Sequence, residues 1–298
     1  MKNAYITKIS KFLPNSPVEN DQIEEKLGFI DGQKSRAKSI ILRNNKIKKR
    51  YYAIDENGNV THNNAQLTAA AIEELCDENF NKEDMELLSC GTSTPDQLLP
   101  SHAAMVHGVL KNGNMEINSA SGVCCSGMNA LKYGFMAIQV GQVKNAVCTG
   151  SEKVSTWTKA DFYQEEIEHL KELEENPMIA FDKDFLRWML SDGSGAMLIE
   201  NEPNGDTPLK IEWMEGFSYA FEMETCMYAG GEKLENGELK PWSEFAPEDW
   251  AKKSVFAIKQ DVKLLGENIL KKGVDCLKTV YEKHGIGPND VDYYLPHI

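Results

Sequence analysis

Long hydrophobic runs are missing from this chain: no stretch of its 298 residues approaches the ~20 apolar positions needed to span a bilayer. The opening Met1-Lys-Asn-Ala-Tyr-Ile-Thr-Lys8 lacks an apolar core long enough for a secretory leader, so the cytoplasm is the expected compartment. Positive charge is scarce as well. Against 46 acidic residues stand 32 Lys and Arg, a net charge of −14, and such a field repels nucleic acid phosphates. Cysteine is sparse and unpatterned: seven residues (76, 90, 124, 125, 148, 226, 276), an odd number without metal spacing, read as reduced thiols. His102, His107, His169 and His284 lack a cysteine or carboxylate pattern, so no metal is expected. Internal repeats and low-complexity linkers are also lacking. With 41% hydrophobic residues and a mean hydropathy of −0.45, the chain can fold into one large α/β domain or two modest halves.

What is present is an alternation of strand and helix signals. Lys2–Phe12 predicts an opening strand, Ala65–Cys76 a helix, and Met85–Gly91 a buried strand stopped by Gly91-Thr-Ser-Thr-Pro95. Pro100–Leu110 predicts a short helix with proline in its first turn. Met115–Ser119 follows as a strand, Ser126–Val140 as a helix closed by Gly141, and Asn145–Gly150 as a further strand. Short joins between such elements indicate layered α/β architecture. An acidic stretch breaks the rhythm at 156–190 and predicts an inserted helical cap. Gly193–Asn201 and Leu209–Trp213 return to strand character. Trp250–His284 is helical, with a break expected near Gly273, and Val291–Leu295 predicts a final strand. A buried strand ordinarily continues into further packing, so the chain is expected to be truncated.

Two local features carry functional meaning. From Lys34 to Arg50 run eight basic residues and no acid, which suits either a solvated face or a docking site for an acidic or phosphorylated partner. The second is Cys124-Cys125, within Ser119-Ala-Ser-Gly-Val-Cys-Cys-Ser-Gly-Met-Asn-Ala130. A small-residue run leads into it and a proline-free amphipathic segment follows. The first N–H groups of a helix lack intrahelical acceptors and favour negative charge, so a thiolate there is stabilised. Taken alone, the pair fits either small buried apolar side chains or a nucleophile.

Ordered motifs around the pair resemble the β-ketoacyl-acyl carrier protein synthase III branch of the thiolase-like fold. Thr94-Pro-Asp-Gln-Leu-Leu-Pro-Ser101 looks like the loop before the family's second long helix, and Ser119–Leu131 like its nucleophile segment. There the cysteine precedes a small residue, glycine and an apolar residue, a register that selects Cys125. Val147-Cys-Thr-Gly-Ser-Glu152 is similar to the next family strand. Ser191-Asp-Gly-Ser-Gly-Ala196 resembles a glycine-rich turn in which Asp192, Gly193 and Gly195 would have a structural role. Leu295-Pro-His297 matches the segment carrying the catalytic histidine.

The resemblance implies a layered α-β-α-β-α architecture of two similar halves. Residues 1–204 would form the half with the nucleophile, 156–190 its cap, and 205–298 an incomplete second half. It further implies that Cys125 holds an acyl group covalently and that backbone N–H groups, including that of Cys125, stabilise the oxyanion. His297 would donate a hydrogen bond where a malonyl thioester develops negative charge on losing carbon dioxide. Substrates would arrive on coenzyme A or acyl carrier protein phosphopantetheine, with no resident cofactor, and the intact protein would be a homodimer. Lys48 stands where family members using coenzyme A place a basic residue, and Leu99 where the partner subunit closes the acyl pocket. The family's asparagine would fall beyond Ile298, so the segment alone is expected to be inactive in condensation. Leu42–Tyr52 looks closest to members making aryl-polyene or dialkylresorcinol-type lipids. Two rivals stay open: an acyltransferase of the same fold that passes the acyl group to a hydroxyl or amine, and a non-catalytic partner subunit.

Overall fold

Strand β1 (Tyr5–Phe12) opens the computed structural model, which describes residues 1–35, 38–161, 163 and 186–297. After it come β2 (Val18–Glu19), α1 (Ile23–Leu27), α2 (Lys38–Asn45) and β3 (Lys49–Arg50). Then follow α3 (Asn64–Glu73), β4 (Leu87–Gly91), α4 (His102–Leu110), β5 (Glu116–Ala120), α5 (Ser126–Gln139), β6 (Asn145–Glu152), β7 (Gly193–Glu200) and β8 (Leu209–Lys210). Six strands form one mixed sheet in the order β5-β4-β6-β7-β1-β8. β4 runs parallel to β5 and β6, whereas β7 is antiparallel to both β6 and β1.

The period-2 alternation of a strand explains the layering. Leu88 and Cys90 of β4, Val147 of β6, and Ala196 and Leu198 of β7 face the buried residues of α3 and α4. Their neighbours Leu87, Ala146, Cys148 and Ile199 face α5 instead. Because both faces are covered, these strands carry apolar side chains on both faces instead of alternating strictly between apolar and polar. Helix α5 buries Leu131, Phe135 and Ile138, side chains worth about 1.5–3 kcal/mol each when fully removed from water. Helix α3 begins at a reciprocal cap, in which the Asn63 side chain accepts from Gln66 N–H and the Gln66 side chain accepts from Asn63 N–H.

A third cluster (Ile23, Leu27, Ile41, Tyr52, Ile54 and Trp188) lies outside the sheet layers. Arg50, the last residue of the basic run, is buried within this region rather than displayed. Its guanidinium donates to Asn20 Oδ1 and to the Ile47 and Trp188 carbonyls. Lys38 is also withdrawn, paired with Glu24 at 3.0 Å.

Several expectations change in the later chain. β9 (Met227–Tyr228) pairs with β12 (Lys259–Gln260), and β10 (Gly231–Lys233) with β11 (Leu239–Pro241). Among the described residues these short pairs do not merge into a second broad sheet. The helical segment expected over 250–284 divides into α6 (Asp249–Lys252) and α7 (Val262–His284). Its break falls before Asp261, whose carboxylate caps α7 by accepting from Leu264 N–H, and α7 continues through Gly273. Val291–Leu295 is not a strand: no strand among the described residues pairs with it, and Tyr293 and Leu295 are exposed. Pro100 stands before the α4 cap Ser101, not inside the first turn. The cap expected at 156–190 lies outside the described residues except for 156–161, 163 and 186–190. Among the described residues no helix is long and apolar enough to cross a membrane.

Candidate active site

The cysteine pair sits where β5 gives way to α5. Gly122 adopts φ +152° and Val123 φ +51°, a left-handed conformation that is strained for a β-branched residue. Cys125 occupies the cap position of α5 at φ −90° and ψ 0°. Its N–H donates to the Gly122 carbonyl at 3.0 Å, so in this conformation it is engaged within the hinge and is not the open oxyanion donor that was expected. Close backbone approach fixes where the helix begins: Gly127 and Gly150 lie so near each other that a Cβ on Gly127 would stand 3.1 Å from the Gly150 Cα.

A cavity of about 770 Å³ opens beside this hinge. Cys124, Gly127, Met128 and Leu131 line it from the hinge and α5, Gly195 and Met197 from β7, and Tyr228 and Ile258 from the later chain. His297 reaches the same cavity, bringing a residue from 297 to the side of one from 124. Both Cys124 and Cys125 are exposed, but only Cys124 contributes to the wall. Although the residue is exposed, its thiol lies against the cavity wall, and this partial desolvation raises the Cys124 pKa, reinforced by the neighbouring Cys125 and the Glu152 carboxylate.

Polar side chains cluster at the C-terminal end of β6. Glu152 lines the cavity and accepts from Ser93 N–H at 2.8 Å, Thr94 Oγ1 at 2.6 Å and Thr92 Oγ1 at 3.3 Å. Burial raises its pKa, and those hydrogen bonds oppose the rise. Ser93 Oγ in turn lies 3.0 Å from Ser126 Oγ, which donates to the Val123 carbonyl at 2.7 Å. Ser151, another wall residue, shares a buried triad with Thr68 and His102. Its Oγ is 2.8 Å from Thr68 Oγ1 and 3.2 Å from His102 Nε2. Burial holds His102 down to about 4, with Asp96 opposing.

The expected residues are not all gathered here. Asp192 is buried: one oxygen accepts from Ala53 N–H at 2.7 Å, the other from Val154 and Ser155 N–H at 2.7 and 2.8 Å. It therefore ties three segments together, and burial raises its pKa against these bonds. Gly193 and Gly195 lie inside β7, opposite Glu152 and Gly150, because antiparallel pairing extends the backbone where a turn was expected. Leu99 and Lys48 are exposed and do not line the cavity. Among the described residues no group of three or more His, Cys, Asp or Glu is placed to hold a metal ion. The Thr92–Glu152–Ser126 connection went unread in the sequence, because its members lie up to about sixty residues apart and carry no local pattern.

No protein-family model matches the chain. It is 30% identical over 156 residues to a β-ketoacyl-[acyl-carrier-protein] synthase III of Clostridium perfringens, covering 52% of this chain and 44% of that one. The synthase III of Chlorobium luteolum is 22% identical over 306 residues, covering 99% of this chain and 77% of its own length. The chain thus spans about half the length of the first curated relatives it matches. Among solved structures, AbyA1, a tetronic acid condensing enzyme, superposes with a TM-score of 0.69 at 18% identity, covering 97% of this chain and 77% of that chain. The 3-oxoacyl-[acyl-carrier-protein] synthase III of Aquifex aeolicus gives a TM-score of 0.61 at 20% identity, covering 97% and 74% respectively. These similarities establish a thiolase-type α/β fold.

Proposed function

We propose that this chain, a β-ketoacyl-[acyl-carrier-protein] synthase III-like protein of the thiolase fold, carries the acyl-accepting site of a condensing enzyme. The observation that supports the reading best is the cysteine hinge at the mouth of α5, beside a cavity that His297 also lines. In this reading the Cys125 thiolate attacks the carbonyl carbon of an acyl thioester. A C–S bond to Cys125 forms, the C–S bond to the carrier breaks, and the carrier leaves as a thiol with the proton that Cys125 gave up. A malonyl thioester then loses carbon dioxide, its C–C electron pair passing into an enolate. A hydrogen bond from His297 stabilises the negative oxygen. The enolate carbon attacks the acyl-cysteine carbonyl, the new C–C bond forms, and the thiolate of Cys125 departs.

The substrates would be carried on coenzyme A or acyl carrier protein, with exposed Lys48 attracting the carrier's phosphates, so the reading requires no resident cofactor. Exposed Leu99 suits a contact across a homodimer. Residues 1–204 and 205–298 are read as two units that share the cavity.

Incubation with an acyl-CoA followed by peptide mass mapping tests the assignment. An acyl adduct on Cys125 is expected, and Cys125→Ala should abolish it. Continued acylation of that variant would sink the nucleophile assignment. Carbon dioxide release from a malonyl thioester marks condensation; acyl-cysteine without release would mark acyl transfer to another acceptor.

A further inference from the structure

Two adjacent thiols share the hinge, and a chain of hydrogen bonds leads from it to a carboxylate. Glu152 pins the backbone of Ser93, whose hydroxyl lies 3.0 Å from that of Ser126 and 3.3 Å from the Val123 carbonyl. Ser126 Oγ donates to the same carbonyl at 2.7 Å. Val123 is the residue whose φ of +51° turns the chain between strand and helix. We propose that Glu152 is a positioning residue, which through the Ser93 and Ser126 hydroxyls holds the Val123–Cys125 hinge and so determines which thiol accepts an electrophile.

A left-handed valine reverts toward ordinary backbone geometry unless its surroundings hold it. Here the Val123 carbonyl accepts from Ser126 Oγ at 2.7 Å and from Ser93 Oγ at 3.3 Å, and Ser93 is fixed within the Thr92–Thr94 loop by its N–H bond to Glu152. Thr92 and Thr94 are buried, and both hydroxyls, together with Ser93 N–H, converge on the one carboxylate. A carboxylate accepts all three bonds at once; an amide in its place must turn a donor toward one of them. The held hinge keeps Cys124 against the wall near Glu152, where burial and negative charge oppose its thiolate. Cys125 is left exposed at the cap of α5, outside that wall.

Carboxamidomethylation by iodoacetamide, read residue by residue in peptide maps of the full chain, measures the choice directly. Wild type should favour Cys125 over Cys124. Each hydroxyl bond contributes about 1 kcal/mol, so Ser93→Ala should move the ratio toward Cys124 by roughly fivefold, and Glu152→Gln by at least that much. Ser93→Thr, which keeps the hydroxyl, should restore the wild-type ratio. Should Glu152→Gln fail to fold, Ser93→Ala, a change at a half-buried position, still decides the matter. A ratio unchanged in Ser93→Ala, or a wild type that favours Cys124, overturns the proposal. The proposal rests on the condensing reading only for the identity of the natural electrophile. A ratio that shifts as expected, in a protein that acyl-CoA leaves unmodified, would retain the positioning role and discard the condensing role.

Discussion

Gly91, at the end of β4, lies so close to Ser126 that a Cβ built on it would stand 2.1 Å from the Ser126 carbonyl oxygen. No side chain fits there. The strand end and the first turn of α5 are thereby set at contact distance, which places the cysteine hinge beside the sheet. Gly91→Ala should push α5 outward and destabilise the fold by about 1–3 kcal/mol or more, the cost of overpacking a tight site. Denaturant unfolding of the variant measures this, and a midpoint equal to wild type would contradict the contact.

Asp192 should behave as a structural fastener. Its two oxygens accept three backbone N–H groups from two distant segments, and an amide cannot serve them all. Asp192→Asn is expected to cost about 1–3 kcal/mol, the range for hydrogen bonds to a charged group and for a buried donor left unmade. A thermal melt within error of wild type would refute this role.

The cysteines should divide by accessibility. Cys90 and Cys148 are buried, and burial pushes the Cys90 thiol up to about 12 and raises that of Cys148 as well. In the native protein neither should react with a disulfide reagent, whereas exposed Cys124 and Cys125 should react first. Urea should release the buried pair. Rapid labelling of Cys90 without denaturant would contradict the packing of β4 between its two helix layers.

His102 makes stability depend on pH. Desolvation holds its folded pKa near 4, below the ordinary value of 6.5, so the native state resists the proton that the unfolded chain accepts. The sign follows: this contribution is intact above about 6.5 and is lost as pH falls toward 4, to the extent of roughly 3 kcal/mol. Melting temperatures of wild type and His102→Gln, compared between pH 7 and roughly 4.5, check the claim. The variant should decline less steeply, and parallel curves would count against it.

Much of the first layered unit was legible because its signals are local. The apolar runs of β4 and β6, the small residues before Cys124, and the spacing of Leu131, Phe135 and Ile138 on α5 each declare an element on their own. Pairing is a different kind of fact. Gly193 and Gly195 look like turn residues in isolation, and only the antiparallel register against β6 makes them strand. Asp192 could be read as holding its own turn, since the N–H groups it serves belong to residues 53, 154 and 155. Val291–Leu295 has strand-forming side chains, but a strand exists only where another backbone accepts its hydrogen bonds. The candidate nucleophile segment and His297 lie in local motifs, whereas the polar chain behind the hinge exists only once the fold brings Ser93, Ser126 and Glu152 together.

The cavity has a further consequence through the ancestry of its walls. One side is built from residues before 200, the other from Met227, Tyr228, Ala229 and Ile258. An occupant large enough to reach both walls bridges a seam and fastens the later chain to the earlier sheet. Occupancy and cohesion become linked: a bound molecule raises the free energy of parting the two sides by an amount set by its concentration relative to its dissociation constant.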